Sequence, residues 1–551
     1  PLYSSAASDV YKRQILRFIL KNAQIFVKIE TYKINLSALG RERICKMLKK
    51  RGAGVLMHIS SLPGRYGIGV FDENARHFID RLHDMGFTYW QVLPFNPIDG
   101  SNSPYCSPSA FAGNYLFINP QGLCDMGLVN QSDVEENVYQ GTPYTADYEF
   151  AAEKRYHLLK KAFLNTDGET AHRIKEFELE NPWLTDYAVY MAAKEQNGGK
   201  PWWLWDKKQA VYSECIKDIY SFEETAAFWK FVQYIFYKQW FEIKKYANEK
   251  GVAVIGDMPI YVAMDSVDVW ADLPLFKIDK KTLKAKKVAG VPPDYFSEDG
   301  QLWGNPIYDW ATMKKDGYSW WISRIGSALK TFDVVRIDHF RAFASYYEVD
   351  ADAENAKKGE WKKGPGMDLF SKVFEKFPAA PIIAEDLGTF GEDVIKLLKD
   401  TGFPGMKVVQ FGFDAHADSA HLPHNAVQNS INYVGTHDNN TLLGWLWEAS
   451  EEERRFALDY CGFAGDNGGE GGYKSPSCRK IIETVWKSSS NVAMISFQDM
   501  CGFGSDARMN IPGVADKNWR FRTTKETIDS ADGDYYYRIN SLYRRMYPVF
   551  E

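Results

Sequence analysis

Between Asp333 and Arg341 the chain reads DVVRIDHFR, an apolar run that ends with Arg336, Asp338, His339 and Arg341 inside six residues. A strand covered on both faces is apolar throughout, so ionisable side chains at its end require a reason. Similar endings recur along the chain: His58, Asp257, Glu385, Asp386, His437, Asp438 and Asp499 each close or nearly close a short apolar run. A lone His or Asp in such a place more often anchors a loop than does chemistry. Three carboxylates at charged run ends, Asp338, Glu385 and Asp438, are harder to explain that way. Close carboxylates suit two chemistries. They can bind a hard divalent cation such as Mg²⁺, or they can cleave a glycoside, one attacking while another supplies a proton. Arg336 stands two residues before Asp338, so in an extended strand both point to the same side. A guanidinium there keeps a carboxylate ionised and repels a metal, which favours glycoside chemistry.

The elements that must carry these residues are eight apolar, β-branched runs at 54–59, 89–94, 253–259, 333–339, 381–387, 407–413, 431–438 and 493–499. Segments such as ENARHFIDRLHDMG and RKIIETVWKSS, which lie between them, place apolar residues at helical spacing. Alternating strands and helices imply a parallel α/β sheet, and eight units imply a closed (β/α)₈ barrel whose C-terminal strand ends form the site. A doubly wound open sheet is the alternative, but no GxGxxG follows a strand. A single catalytic domain is expected over 47–551. A mostly helical insertion is expected at 121–250. A loop-rich insertion over the active site, poor in period and rich in Pro, Gly and aromatics, is expected at 260–312.

Composition narrows the partners. Charged residues are 25% of the 551, the net charge is −6, and there is no basic stripe of the kind that binds nucleic acid. No run of 18 apolar residues suggests a membrane span. The seven cysteines are scattered and never form a CxxC pair, which points to reduced thiols, a cytoplasmic setting and no zinc site. The 17 Trp fit either a large aromatic core or sugar stacking. Residues 1–46 carry nine Lys/Arg and three acids, a net +6, whereas the other 505 residues carry a net −12. The opening stretch has no clear period, and SSAASDVYKRQ resembles a translated sequencing adaptor. Residues 1–46 are therefore expected to be a non-native or disordered extension, with Met47 as a plausible start.

Nine stretches in order then carry a specific resemblance: RGAGVLMHISSLPGRYGIG, WQVLPFNP, SPYCSPSAFAGN, GDMPIYVAMDSVDVWAD, AGVPPDYFSEDGQLWGNP, RIDHFR, AEDLG, GTHDNNT and GSDARMNIPG…NW. From about Arg51 to Arg522 the chain resembles the 4-α-glucanotransferases of glycoside hydrolase family 77, in the α-amylase superfamily. The resemblance implies a nucleophile at Asp338, a general acid/base at Glu385 and a third carboxylate at Asp438 that grips sugar hydroxyls. Arg336 and His437 would complete that subsite, His339 and Asp257 would support it, and Tyr105 would lie against the sugar ring. Asp294, Phe296, Gln301, Trp303 and Asn305 would belong to a segment closing over the donor and acceptor chains. The family often reads GTHDND, and here Asn440 replaces the last Asp. The implied substrates are α-1,4-glucans, with no metal and no organic cofactor. An α-glucan hydrolase with the same triad, or a non-catalytic glucan-binding protein, are the competing functions.

Overall fold

In the computed structural model, residues 47–550 are described, except 294–297, 389–390, 466–468 and 515. The segment 1–46, expected to be an extension, lies outside them.

Eight parallel strands close into a barrel in which each strand pairs with its neighbours in sequence and the eighth pairs with the first. In order they are Gly52–Leu56, Tyr89–Gln91, Ala253–Met258, Val334–Ile337, Ile382–Ala384, Gly405–Val408, Ser430–Tyr433 and Val492–Ser496. The open doubly wound alternative is excluded by the closure between Gly52–Leu56 and Val492–Ser496. Alternate side chains face opposite ways. One set, including Tyr89, Ile255, Val334, Ile383, Met406, Ile431 and Met494, fills the barrel interior, with Met47, Leu48 and Val549 packed against it. The other set, including Val55, Trp90, Val254, Val335 and Ile495, belongs to the larger core shared with the helices. In strand three, Gly256 leaves room for Phe332, whose ring would lie 2.1 Å from an added Cβ.

Most connections are helical. Glu73–Asp84 starts at Asp72, whose carboxylate accepts the Asn74 and Ala75 N–H groups, a favoured N-cap arrangement. The 27-residue helix Glu223–Glu249 leads into strand three. Its Trp240 sits among Phe71, Phe95 and Phe332 and donates its indole N–H to Thr331 O at 2.9 Å. Strands six and seven are joined through two 3₁₀ turns, Val409–Gly412 and Pro423–Asn425.

Within 260–312, where no secondary structure was expected, the chain contains strands. Lys287–Val291 and Gln301–Pro306 join Ser345–Asp350 and Gly359–Lys363 in a four-stranded antiparallel sheet. The pairing of Ala289 with Glu348 and Gly290 with Tyr347 spans more than fifty residues of sequence, so no local pattern announces it. Gly300 makes the turn between the first two strands: its φ is +67° and an added Cβ would lie 2.5 Å from Val291 O. No helix among the described residues is long and apolar enough to cross a membrane.

Candidate active site

Strands three and four place Asp257 directly opposite Arg336. Arg336 Nη1 donates to both Asp257 carboxylate oxygens at 2.7 Å and lies 3.0 Å from Asp338 Oδ1. The Arg336 and Asp257 side chains are 4% and 0% exposed, while Asp338 keeps 28%. A buried ion pair is tolerable only when its remaining bonding capacity is also used. Here Tyr105 Oη donates to Asp257 Oδ2 at 2.7 Å, so both partners are multiply bonded.

His339 turns the chain out of strand four with φ +49° and ψ +48°. Such a backbone costs a non-glycine residue about 1–2 kcal/mol. The turn aims the His339 N–H at Glu385 Oε2, 2.7 Å away, and the Leu387 N–H reaches Glu385 Oε1 at 2.6 Å. Glu385 is buried, and its backbone is tied to Ile337 O and the Phe340 N–H at 3.0 Å each. Asp338 and Glu385 therefore stand at the ends of adjacent strands on a backbone that fixes both.

The opposite wall comes from loops. Tyr105 stacks on His437, with ring centroids 5.2 Å apart and planes 19° from parallel, and Trp519 leans on both rings. Asp438 follows His437 and is 43% exposed at the side chain. Its Oδ1 accepts from Asn510 Nδ2 at 2.6 Å, and His437 Nε2 approaches the same oxygen at 3.3 Å. Arg508 Nη2 donates to the Asp438 carbonyl at 2.6 Å. Tyr105 thus links the two walls, through its hydroxyl to Asp257 and through its ring to His437.

The electrostatics separate the roles. Burial pushes the Asp338 carboxyl up to about 8, against the pull of Arg336 and with help from Asp257, Glu385 and Asp438. Burial also raises Glu385, opposed by Arg336 and by its two backbone N–H donors. Two carboxyls raised together hold a proton between them into the neutral range. Arg336, 3.0 Å from Asp338 Oδ1, favours the ionised form of Asp338, while two raised carboxyls resist ionising together. Burial takes His339 down to about 3, and burial also lowers His437. Both imidazoles are therefore neutral hydrogen-bonding groups near neutral pH.

The comparisons place this arrangement in a family. The family model described as 4-alpha-glucanotransferase matches residues 57–527. The chain belongs to the 4-alpha-glucanotransferase family. A 4-alpha-glucanotransferase from Clostridium butyricum is 41% identical over 493 residues, covering 89% of this chain and 100% of that one. An amylomaltase from Streptococcus agalactiae, solved in complex with acarbose, is 39% identical with a TM-score of 0.86, covering 90% and 100% of the two chains. The amylomaltase from Corynebacterium glutamicum is 18% identical with a TM-score of 0.75, covering 91% and 76%, and shares the fold.

In this 4-alpha-glucanotransferase family member, one bonded cluster contains Tyr105, Asp257, Arg336 and Asp338. Glu385 joins it through the backbone of strand four and the His339 N–H, and His437 with Asp438 joins through the Tyr105 ring. Trp303 stands edge-on to His339 with ring centroids 4.8 Å apart, and its indole N–H donates to Gln301 Oε1 at 3.1 Å. Asn305 behaves differently: its Nδ2 donates to Val262 O at 2.9 Å, which ties the mouth sheet to the loop after strand three. Asp294 and Phe296 lie outside the described residues.

Three of the other polar run ends are anchors. His58 Nδ1 accepts the Leu93 N–H at 3.2 Å, Asp386 accepts the Met406 N–H, and Asp499 accepts the Leu442 N–H at 2.6 Å. Asn440 Nδ2 donates to Ser505 Oγ at 3.0 Å, away from the carboxylates. The residues that sequence reasoning missed are Asn510, Arg508 and Trp519. All three lie in or beside the GSDARMNIPG…NW stretch, which was a signal without a role.

Proposed function

We propose that the protein moves α-1,4-glucan segments from a donor to the 4-hydroxyl of an acceptor glucan or glucose, with retention of configuration. Asp338 attacks the anomeric carbon while Glu385 gives its proton to the departing glycosidic oxygen. One C–O bond breaks, one forms to the Asp338 carboxylate, and the fragment carrying the reducing end leaves. Glu385, now ionised, takes the proton of an acceptor 4-hydroxyl, whose oxygen displaces Asp338. Two inversions restore the configuration. Asp438 accepts hydroxyl hydrogen bonds from the sugar at the reacting centre, and Tyr105 offers its ring to that sugar.

The observation that carries this reading is Arg336 bonded at once to Asp257 and Asp338, with Glu385 on the next strand. It supplies an ionised nucleophile and a protonated partner from one set of contacts. Incubation with maltotriose tests it. The expected products are glucose together with a ladder of longer maltooligosaccharides, at constant total reducing ends. Glucose and maltose alone, with one new reducing end per cleavage, would identify a hydrolase instead.

A further inference from the structure

We propose that Asn510 is a positioning residue for Asp438, setting which carboxylate oxygen faces the sugar; the inference rests on the role given to Asp438 above. Asn510 Nδ2 is 2.6 Å from Asp438 Oδ1. Only the amide nitrogen can donate to a carboxylate, which fixes the amide orientation. His437 Nε2 approaches the same oxygen at 3.3 Å. Oδ2 takes no hydrogen bond from the described residues, so it is the oxygen left to accept from a sugar hydroxyl. Without Asn510, an aspartate 43% exposed at its side chain would be free to rotate about χ2.

The geometry around Asn510 is built to hold that amide. Its own N–H donates to His437 O at 3.1 Å, and its carbonyl accepts from Arg508 Nε at 2.8 Å. Arg508 spends its other arm on the Asp438 carbonyl. Asn518 brackets the next turn, accepting the Ile511 N–H at 3.0 Å and donating to Ile511 O and Val514 O. The Trp519 N–H closes the segment onto Met509 O at 2.7 Å. The loop after strand eight therefore grips the strand-seven end by backbone and side chain together, and among the described residues its one side-chain hydrogen bond to a carboxylate of the site is Asn510 to Asp438. The charged and titratable groups facing Asp438 are His437 on its own strand end, Arg508 on the loop, Tyr105 from the loop after strand two, and Asp338 across the pocket.

The experiment measures maltotriose disproportionation from pH 5 to 8 with the full chain and the variants Asn510→Ala, Asn510→Asp, Asp438→Asn and the double variant Asp438→Asn/Asn510→Ala. Asn510→Ala should lower kcat/KM about 10- to 100-fold, the usual cost of removing an orienting partner, with little change in Tm. In the Asp438→Asn background the same change should cost nothing further, because a residue that acts through Asp438 has nothing left to orient. Asn510→Asp keeps the size of the side chain. Its deficit relative to wild type should shrink as pH falls, since a protonated carboxyl can donate where an ionised one repels. An equal cost of Asn510→Ala in both backgrounds, or a deficit of Asn510→Asp that is flat with pH, overturns the proposal. If Asp438→Asn is itself too slow to reveal a further loss, the pH arm decides alone. Full activity of Asp438→Asn would instead sink the role of Asp438 in the reaction.

Discussion

The ends of strands three to five and the sheet over the barrel mouth differ in how their polar side chains are held. At the strand ends Asp257, Arg336 and Glu385 are buried, and each makes at least two hydrogen bonds. Their positions follow from barrel register, with Asp257 opposite Arg336 and Ile383 opposite Arg336 on the other side. In the mouth strand Gln301–Pro306, partly buried residues alternate with exposed ones, and Gln301 and Trp303 bond mainly to each other. A one-residue slip in the barrel would turn every charge toward the wrong face. In the mouth strand the same slip would exchange half-buried side chains for exposed ones. The difference separates a centre held by several buried bonds from a more exposed strand, which under the proposed function would meet the glucan chains. Substitutions in the first region should therefore abolish turnover, and those in the second should redirect it.

The largest effects are expected at the two carboxylates themselves. Glu385→Gln should lose about 10²- to 10⁴-fold in turnover, the range for removing a general acid/base, while still binding oligosaccharide. A glucosyl fluoride donor, which needs little acid help, should partly restore the first step. Asp338→Asn should recover with neither donor. Equal rescue of both variants would mean that the roles are reversed.

Next in size is the guanidinium that organises the floor. Arg336→Met leaves Asp257 buried without its partner, and breaking a buried pair from one side costs about 3–5 kcal/mol. The expected readout is a clear fall in Tm together with loss of activity. Changing Arg336 and Asp257 together to apolar residues should recover much of the Tm and none of the activity. A single variant with unchanged Tm would show that the pair does not bear on stability.

A smaller and purely pH-dependent effect follows from the raised pair Asp338 and Glu385. Carboxyls that ionise at about 4 when unfolded hold a proton between them in the folded state up to about 8. The pair's contribution to stability is complete below about pH 4 and is lost as pH rises toward 8. The double variant Asp338→Asn/Glu385→Gln removes that contribution, so the Tm of wild type minus that of the variant should decline between pH 4 and 8. Asp72, Asp268, Asp272 and Asp499, each raised to about 6 by burial, are present in both proteins and cancel. A constant difference across that range would show that the pair retains no extra proton in the folded state.

The same contrast explains what was legible in the sequence. The eight strands announced themselves because burial on both faces leaves continuous apolar runs. Arg336 and Asp338 could be paired from their spacing alone, since i and i+2 share a side. The mouth sheet left no such trace: Lys287–Val291 finds its partner at Ser345–Asp350 by long-range pairing, and Pro, Gly and aromatics between 289 and 310 hid the alternation. Spacing also could not separate reacting carboxylates from anchoring ones. Asp386 and Glu385 are neighbours, yet Asp386 accepts a backbone N–H from strand six, a distinction that only the pleat reveals. Asn510 was beyond reach because its partner lies 72 residues earlier, joined through a loop with no period.

The smallest effect is expected at the mouth, and it concerns partition between acceptors. Water is present at about 55 M, so transfer requires a sugar acceptor held at an effective concentration above that, and oriented binding can supply about 10⁵ M or more. Trp303 stands where such a contact would act: edge-on to His339, whose N–H holds Glu385. Its side chain is only partly buried, and its indole N–H is already satisfied by Gln301, so part of the ring remains available to a glucose. Trp303→Ala removes one aromatic contact, worth about 0.5–1.5 kcal/mol and so about a tenfold change at most. With maltotriose, total turnover should fall by that modest factor while the fraction of cleavages ending as new reducing ends rises. Gln301→Ala should shift the partition the same way but less, because it frees the indole without deleting it. If transfer and hydrolysis fall by one common factor in Trp303→Ala, the mouth strand does not select the acceptor, and the preference for sugar over water must be set by the buried floor, where Arg336 and the backbone donors fix Asp338 and Glu385.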